Sequence, residues 1–296
     1  MVNITINNRP IAVKEGTTIM EACKEAKMPV PSLCYLKGIN EIGACRVCVV
    51  EVKGIERLVT SCNNVVKEGM EILTNSPKVR EARRINIKVI LSQHNCFCPT
   101  CVRTGNCQLQ KVASELEFGT GSYPQHITYN SWPTDFPLIR DESKCIKCMR
   151  CIQICDKVQS LRVWDLAKTG SRTTVDVSLR RNIKEADCAL CGQCITHCPV
   201  GALTGRDDKR PVFSQNGFLN AKGKTTVVQV APAVRTAWAE SFRLSRKFAS
   251  TKRLAGALRM MGFDYVFDTT FAADLTIMEE ASEFLERLHH KEDYQW

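Results

Sequence analysis

The sequence lacks the features of a secreted, membrane-spanning or nucleotide-binding protein. Its opening segment MVNITINNRP has no basic stretch followed by an apolar one, so it predicts no secretory signal. No apolar run approaches the roughly 20 residues that a helix needs to cross a bilayer, so we expect no membrane span. Neither a Gly-x-Gly-x-x-Gly loop nor a flavin motif is found. We therefore expect a cytoplasmic protein in a reducing compartment, where thiols stay free.

Catalytic patterns are missing as well. No nucleophile paired with a base, no pair of carboxylates and no phosphate-binding loop stands out, so we predict no catalytic residue. The acidic residues near the C-terminus are best explained as the solvated face of a helix. They are Glu279, Glu280, Glu283 and Glu286.

Cysteine is what the sequence has in excess, with 17 among 296 residues. The number is odd, and most of these residues stand two positions apart from another cysteine. Such pairs are poorly placed to form a disulfide with each other but well placed to bind one metal centre. The apolar fraction of 44% and the charged fraction of 24% are ordinary for a globular protein.

The formal net charge of +10 raises the question of a nucleic-acid or membrane partner. Metal-bound cysteines are thiolates, however, and four iron–sulfur sites remove about 7 charges. The loaded protein then carries a charge near about +3. By this estimate, most of the excess positive charge compensates the buried anionic sites. We therefore expect no nucleic-acid partner.

The first cysteine group lies in a β-rich stretch. A strand is predicted at Val2–Ile6, and after an Asn-Asn turn a second strand at Pro10–Val13 completes a hairpin. Further strands are predicted at 47–52 and 57–60, and a helix capped by Thr17 lies between the hairpin and these strands. One distant cysteine, a close pair and another distant cysteine resemble the plant-type [2Fe–2S] spacing, although the first interval is longer. A four-cysteine zinc site is the alternative. The four residues are Cys34, Cys45, Cys48 and Cys62.

The second group follows a helix predicted over 78–92. It combines one histidine with three cysteines, a donor set that suits either a zinc ion or a [4Fe–4S] cluster. Cys96 is out of phase with this group and is predicted to be spare, as is Cys23 on the first helix. The group consists of His94, Cys98, Cys101 and Cys107.

The third group is the most specific signal. A run of cysteines with intervals of two, two and three residues occurs twice, and Pro199 follows the second run. This is the bacterial two-[4Fe–4S] pattern, in which the fourth cysteine of each run binds the other cluster. One cluster would therefore use Cys145, Cys148, Cys151 and Cys198, and the other Cys188, Cys191, Cys194 and Cys155. Residues 119–137 are predicted to be a connecting loop.

The stretch 225–296 contains no cysteine. A continuous apolar strand of the kind buried on both faces is predicted at 225–231, and a second strand at 265–268. The last helix carries Leu275, Met278, Ala281, Leu285 and Leu288 on one face, with Thr276 and Glu279 placed as a capping box. This βαβα fragment is too small to complete its own core, so we expect it to dock on another polypeptide.

The order and spacing of the three groups resemble the N-terminal half of multi-cluster [FeFe]-hydrogenases. More distantly they resemble the large iron–sulfur subunit of complex I and the diaphorase subunits of NAD-linked hydrogenases. Segments of the tail are similar to the opening of the [FeFe]-hydrogenase catalytic domain, namely Val230–Arg235, Gly262–Asp264, Phe267–Thr269 and Ala273–Glu280. The resemblance implies that His94 is an iron ligand.

The resemblance predicts an α+β multidomain chain that holds one [2Fe–2S] and three [4Fe–4S] clusters, one of them ligated by one histidine and three cysteines. The domains are expected to be a β-grasp [2Fe–2S] ferredoxin-like domain at 1–77, a one-histidine three-cysteine [4Fe–4S] domain at 78–125, a bacterial-type two-[4Fe–4S] ferredoxin domain at 136–210, and a truncated hydrogenase-like α/β segment at 225–296.

The sequence departs from the hydrogenase family in one respect. In the family, later cysteine motifs hold the active-site cluster, and the sequence does not contain them. We therefore expect a subunit of a hydrogenase-type oxidoreductase without a complete active site of its own. It would relay single electrons in an NAD(P)H- or ferredoxin-linked hydrogenase complex, with electron bifurcation as one form. The partners would be a flavin- and NAD(P)H-binding diaphorase subunit, a hydrogenase or other catalytic subunit, and ferredoxin.

Two other functions stay open at this point. The chain is either a truncated or split catalytic subunit of an [FeFe]-hydrogenase, or a zinc-binding interaction protein with a basic surface. An iron content of about 14 atoms per chain would separate the cluster readings from the zinc reading.

Overall fold

The computed structural model describes residues 1–116, 126–214, 219, 223–245, 247–290 and 292. The chain divides into two compact units, Met1–Arg206 and Asp207–Trp296. Both mix helices with strands, as expected for an α+β chain. In the described part of the chain, no helix is both long and apolar enough to cross a membrane.

The N-terminal strands form a five-stranded sheet in the order β2-β1-β5-β3-β4. β1 runs parallel to β5, and the other neighbours are antiparallel. Asn7 and Asn8 form the predicted turn at positive φ angles of 47° and 65°, which suits a tight hairpin. The elements are β1 (Val2–Ile6), β2 (Arg9–Val13), α1 (Ile19–Glu25), β3 (Val49–Val52), β4 (Val59–Thr60) and β5 (Glu71–Leu73).

Two sequence predictions for this sheet need correction. The cap of α1 is Thr18 and not Thr17, because the Thr18 side chain accepts a hydrogen bond from the Glu21 amide. The strands predicted at 47–52 and 57–60 are shorter, because residues 47 and 48 belong to the turn that carries the close cysteine pair. Ile6, Ile19 and Ile72 fill the space between the sheet and α1. Each contributes about 1.5–3 kcal/mol through burial.

Two helices follow the sheet, α2 (Pro77–Ser92) and α3 (Gln108–Glu115). Ser76 caps α2 through the Val79 amide, and Pro77 fits the first turn, where no amide donor is needed. The predicted helix over 78–92 is therefore confirmed. Arg83 of α2 is buried and donates to the Val49 carbonyl at 2.8 Å, which attaches the helix to β3.

The cysteine-rich end of the first unit uses short elements. β6 pairs with β9, and β7 pairs with β8, both antiparallel. Of the loop predicted over 119–137, residues 126–137 contain no helix or strand, and 119–125 lie outside the described residues. The elements are β6 (Leu138–Arg140), α4 (Arg150–Lys157), β7 (Trp164–Ala167), β8 (Thr174–Val177), α5 (Gln193–His197) and β9 (Leu203–Gly205).

The second unit is built on two parallel strands, with Val227 opposite Tyr265. The strand predicted at 225–231 spans only Val227–Val230, and the prediction that both of its faces are buried is wrong because its side chains are exposed or half-buried. The elements are α6 (Lys209–Phe213), β10 (Val227–Val230), α7 (Pro232–Ala237), α8 (Thr251–Met260), β11 (Tyr265–Asp268) and α9 (Thr269–His289).

The capping box predicted at Thr276 and Glu279 is also wrong. Helix α9 begins directly after β11, and the side chain of Asp268 caps it through the Thr270 amide. Thr276 lies inside the helix and donates its hydroxyl to the Ala272 carbonyl at 3.0 Å. No described side chain of α9 is buried, and its apolar residues Leu275, Met278, Leu285 and Leu288 are exposed.

Candidate metal centres

The first cysteine group is buried beside the N-terminal sheet. Cys34, Cys45, Cys48 and Cys62 are each at most 9% exposed. The Cys34 thiol donates a hydrogen bond to Cys45, which lowers the pKa of Cys45 to about 6. Cys62 donates in the same way to Cys48 and lowers the pKa of Cys48 to about 7. The four sulfur atoms are therefore close neighbours, and their surroundings favour two thiolates.

The loop around this group brings amide groups to sulfur. The amides of Val47 and Leu33 donate to Cys45, and the amide of Gly43 donates to Cys62. Gly43 has a positive φ of 67°, and a Cβ atom there would lie 3.3 Å from the Asn63 side chain. A glycine is therefore needed for the tight turn that places its amide against a thiol.

Two buried cations lie beside the same group. Arg83 interacts electrostatically with Cys48, and Arg150 with Cys34, Cys45 and Cys148. Burial lowers the pKa of both guanidinium groups, to about 10 for Arg83. Fixed positive charges in a buried site compensate an anionic group held by thiolates.

The second group is distributed over three segments. His94 follows α2, Cys98 begins a short 3₁₀ turn, and Cys107 caps α3 by accepting a hydrogen bond from the Gln110 amide at 3.5 Å. Cys98 has Cys101 and Cys107 as electrostatic neighbours. Cys96, which the sequence predicted to be spare, lies near Cys98 and Cys107 too, and its thiol lies 3.4 Å from the His94 carbonyl oxygen.

His94 is held by its own hydrogen bond. Its Nδ1 atom lies 3.0 Å from the carbonyl oxygen of Lys144, which can only accept, so Nδ1 carries the proton. Burial lowers the pKa of His94 and favours the neutral ring. The Nε2 atom then has a free lone pair, which is the arrangement of metal-bound histidines whose other nitrogen donates to a backbone carbonyl.

The backbone of the third group passes close to the second. An ideal Cβ atom on Gly201 would lie 2.6 Å from the Cys101 sulfur. The Asn95 amide donates to the Ser143 carbonyl at 2.8 Å, and the Gln108 amide to the Pro199 carbonyl at 3.2 Å. The histidine and the three cysteines are therefore supported by the segments on either side of the repeated cysteine runs.

The repeated runs surround two separate cavities. One, named here the Cys198 cavity, is lined by Cys145, Cys148, Cys151 and Cys198 together with apolar side chains such as Ile146 and Val200. The other, named the Cys155 cavity, is lined by Cys155, Cys188, Cys191 and Cys194 with Ile154, Leu161 and Val163. The fourth cysteine of each run thus lies with the first three of the other.

Electrostatic contacts give the same grouping. Burial raises the pKa values of Cys145, Cys148 and Cys151, and the charge of Cys198 raises them further. Cys155 interacts with Cys188 and Cys191, and Cys194 interacts with all three. Backbone amides also reach these sulfurs, at 3.4 Å from Lys147 to Cys145 and at 3.4 Å from Val163 to Cys155.

These surroundings fit iron–sulfur clusters. Sulfur-rich cavities with apolar walls, amide donors aimed at sulfur and buried cations are what an anionic cluster with thiolate ligands requires. Among the described residues, no three His, Cys, Asp or Glu side chains converge on the position of a single ion. A cluster spreads its ligands around several metal atoms and does not need that convergence.

Sequence reasoning missed the residues that join the groups. Asn40 is fully buried, and its Nδ2 atom donates to the carbonyls of Cys34 at 2.8 Å and Cys148 at 2.9 Å. Arg150 donates to the carbonyls of Cys34, Tyr35 and His197. Single residues without a repeating interval, such as these, carry no signal in one sequence.

Comparison with family models assigns a class to each part of the chain. Residues 1–77 match a 2Fe-2S iron-sulfur cluster binding domain, and residues 83–120 match the NADH-ubiquinone oxidoreductase-G iron-sulfur binding region. Residues 144–202 match a 4Fe-4S dicluster domain, and 224–295 match the C-terminal domain of the iron only hydrogenase large subunit. The chain therefore contains 2Fe–2S and 4Fe–4S iron–sulfur binding domains.

Its relatives confirm the resemblance to hydrogenases. The chain is 40% identical to NADP-reducing hydrogenase subunit HndD of Solidesulfovibrio fructosivorans, over 97% of this chain and 50% of that protein. It is 33% identical to iron hydrogenase 1 of Clostridium pasteurianum, over 98% of this chain and 50% of the relative. The chain thus spans about half the length of these curated relatives.

A solved structure shares the fold. A chain from the crystal structure of NAD+-reducing [NiFe]-hydrogenase in the H2-reduced state aligns with a TM-score of 0.64 at 22% identity. The alignment covers 84% of this chain and 99% of the other.

Proposed function

We propose that this chain is the electron-transfer subunit of a multisubunit hydrogenase that is linked to NAD(P)H or ferredoxin. The observation that carries the proposal is the grouping of the cysteines around separate sulfur-rich sites within one unit. Bound iron–sulfur clusters supply one-electron transfer there. The similarity to an NADP-reducing hydrogenase subunit over 97% of this chain supports the hydrogenase complex.

The proposed ligands are sixteen side chains in four sets. The first set would hold a [2Fe–2S] cluster, and each of the other three would hold a [4Fe–4S] cluster. The sets are Cys34, Cys45, Cys48 and Cys62; His94, Cys98, Cys101 and Cys107; Cys145, Cys148, Cys151 and Cys198; and Cys188, Cys191, Cys194 and Cys155.

Histidine ligation is supported by the orientation of His94. The Lys144 carbonyl fixes the ring through Nδ1 at 3.0 Å and leaves Nε2 for a metal. Replacing one thiolate by a neutral imidazole makes the set one unit less negative and raises its potential, as histidine does in Rieske centres.

The chain's own residues hold neighbouring sets in contact. Asn40 bridges the carbonyls of Cys34 and Cys148, which belong to the first and third sets. Gly201 lets the backbone that follows Cys198 approach Cys101 of the second set. The proposed route therefore joins the first and third sets through the Asn40 side chain, and the second and third sets through a close approach of the backbone to Cys101.

We place the domain boundaries at 1–77, 78–125, 136–210 and 225–296. The proposed partners are a flavin- and NAD(P)H-binding diaphorase subunit, a hydrogenase or other catalytic subunit, and ferredoxin. For the segment 225–296 we propose that it docks on a partner polypeptide of the complex. The exposed apolar residues of α9 support this docking. Electron bifurcation and a cytoplasmic location stay predictions.

Metal analysis tests the central proposal. We expect an anaerobically purified sample to contain about 14 iron atoms per chain with matching acid-labile sulfide and little zinc. Electron paramagnetic resonance (EPR) after stepwise reduction should resolve one [2Fe–2S] and three [4Fe–4S] signals. A colourless protein that binds only zinc would refute the proposal.

The alternative of a split or truncated catalytic subunit of an [FeFe]-hydrogenase is favoured by the match of residues 224–295 to the iron-only hydrogenase domain. Mass analysis of the native assembly separates the two functions. A companion polypeptide with the remaining part of that domain supports the alternative, whereas a complete hydrogenase subunit beside this chain supports the electron relay.

A further inference from the structure

Trp164 lies between the two cavities of the repeated cysteine runs. It is the first residue of β7, it is 3% exposed, and it pairs with Val177 of β8. Its side chain lines both the Cys155 cavity and the Cys198 cavity. One buried indole is therefore shared by both proposed [4Fe–4S] sites.

The indole contacts the two cavities in different ways. Burial raises the pKa of the Cys194 thiol to about 12, and a hydrogen bond from the Trp164 side chain, which lines the same cavity, acts in the opposite direction. The backbone amide of Trp164 acts on Cys155 in the same way, against the larger effect of burial. Both sulfurs belong to the Cys155 cavity. The amides that reach sulfurs of the Cys198 cavity come from the backbone of Lys147 and Arg150. Only the Cys155 cavity therefore receives the polar group of Trp164.

The orientation of the indole is fixed from behind. The ring of Trp132 stacks on Trp164 with centroids 5.9 Å apart and planes 16° apart. Trp132 is itself held by a hydrogen bond from Nε1 to the Leu138 carbonyl at 2.7 Å and by the Arg140 guanidinium 5.8 Å above its ring. The stack leaves the Trp164 N–H little freedom to turn away from Cys194.

We propose that Trp164 is a positioning residue that raises the reduction potential of the cluster held by Cys155, Cys188, Cys191 and Cys194. A hydrogen bond to a ligand sulfur stabilises the more negative, reduced state more than the oxidised one. The residue thereby favours the presence of an electron on this cluster. The inference rests on the proposed cluster ligation.

The matched pair Trp164→Phe and Trp132→Phe tests this in the full-length protein. Trp164→Phe keeps an aromatic ring in the stack but removes the N–H donor to Cys194, whereas Trp132→Phe removes an N–H that bonds a carbonyl. EPR-monitored redox titration gives the potential of each cluster. We expect Trp164→Phe to change one [4Fe–4S] reduction equilibrium about tenfold, which is about 59 mV downward for one electron.

The control variant and the other clusters show whether the change in potential is specific to one cluster. We expect Trp132→Phe, and the remaining clusters in Trp164→Phe, to keep the wild-type potentials. An unchanged set of potentials at full iron content overturns the proposal and leaves the cluster assignment intact. Equal shifts in every cluster would overturn it too, because they would indicate a general structural change. A wild-type chain without iron would instead overturn the proposed function.

A second measurement uses the wild-type protein, so it does not depend on whether a variant folds. Wild-type protein labelled with ¹⁵N at the indole nitrogen of tryptophan is reduced by one equivalent, and pulsed EPR records nuclear couplings to the cluster. A hydrogen bond to Cys194 predicts an indole ¹⁵N coupling on one [4Fe–4S] signal. A reduced spectrum without that coupling on any [4Fe–4S] signal overturns the proposal.

Discussion

Single residues decide whether cysteines that are far apart in the chain can meet, and Gly201 is the clearest case. The backbone at Gly201 passes so close to Cys101 that an added methyl group would overlap the sulfur at 2.6 Å. Gly201 belongs to a well-packed segment, since Val200 and Ala202 on either side are buried. A larger residue must therefore displace the cysteine or the backbone.

We predict that Gly201→Ala removes the cluster of His94, Cys98, Cys101 and Cys107. The expected result is a loss of about 4 of about 14 iron atoms and of one [4Fe–4S] EPR signal. Gly205→Ala is the control, because a Cβ atom there meets nothing within 4 Å. Full iron content in Gly201→Ala would contradict the prediction.

Asn40 supports a second prediction at this scale. Its amide bridges the carbonyls of Cys34 and Cys148 at 2.8 and 2.9 Å from a fully buried position. Asn40→Ala removes this donor from both carbonyls. Arg150 still donates to the Cys34 carbonyl, so the main loss is at the Cys148 carbonyl and costs about 1–3 kcal/mol. We expect faster bleaching of the visible cluster absorbance in urea.

Asn86→Ala is the matched control for this variant. Asn86 donates one hydrogen bond to the Arg46 carbonyl at 2.7 Å from an exposed position. We expect the bleaching rate of Asn86→Ala to stay near that of the wild type. Equal rates in the two variants would show that the bridge of Asn40 does not stabilise the contact.

At the scale of elements, α1 is tied to the segment that carries Cys34. Glu21, in the first turn of α1, accepts hydrogen bonds from Tyr35 and Lys37, both at 2.7 Å. These contacts, Lys37 first, lower the pKa of Glu21. The stabilisation is therefore present above the ordinary pKa of a glutamate and is lost as the pH falls through the lower pKa of the folded state.

We predict that the [2Fe–2S] cluster of the wild type becomes more labile on acidification than that of Glu21→Gln, relative to each protein's value at neutral pH. The rate of loss of the [2Fe–2S] signal is followed from neutral to acidic pH in both proteins. Glu25→Gln, on an exposed position of the same helix, controls for the acid lability of the cluster itself. Parallel profiles for the wild type and Glu21→Gln would refute the role of Glu21.

The elements also show what the sequence can and cannot predict. The hairpin of β1 and β2 and the helix α2 were predictable because their signals are local, namely an Asn-Asn turn and a run of apolar residues at helical spacing. The prediction of a cap at Thr276 was wrong because the helix already begins after Asp268, and a capping residue acts only at the start of a helix. Cysteine intervals predicted the grouping of sulfurs, whereas Trp164 and Asn40 act through contacts that only the fold creates.

On the scale of the whole molecule, the two units differ in how much apolar surface they bury. Met1–Arg206 contains two buried apolar clusters. In the described part of Asp207–Trp296, the apolar side chains of strand β10 and helix α9 are exposed or half-buried. Exposed apolar surface of this kind is typical of a surface that packs against further protein. The apolar side chains concerned include Phe267, Phe271, Leu275, Ile277, Met278 and Leu285.

We predict that Leu275→Glu with Met278→Glu prevents assembly of the native complex. Both residues lie on one face of α9, so two charges would enter the proposed interface. Iron content and EPR signals should be unchanged, since the substitutions lie in the unit without cysteine. Glu280→Lys, which changes the charge of an exposed residue on the opposite face of α9, is the control. Size-exclusion chromatography of the native complex measures assembly, and normal assembly of the double variant would contradict the prediction.

The crossing of Cys155 and Cys198 between the two cavities has a consequence for biosynthesis. During translation the ribosome releases three of the four sulfurs of the Cys198 cavity long before it releases Cys198. An early insertion of iron at that place would meet an incomplete binding set. Under the proposed ligation, both clusters would be inserted only after the second run has emerged, so loading would be a late, joint event in the life of the polypeptide.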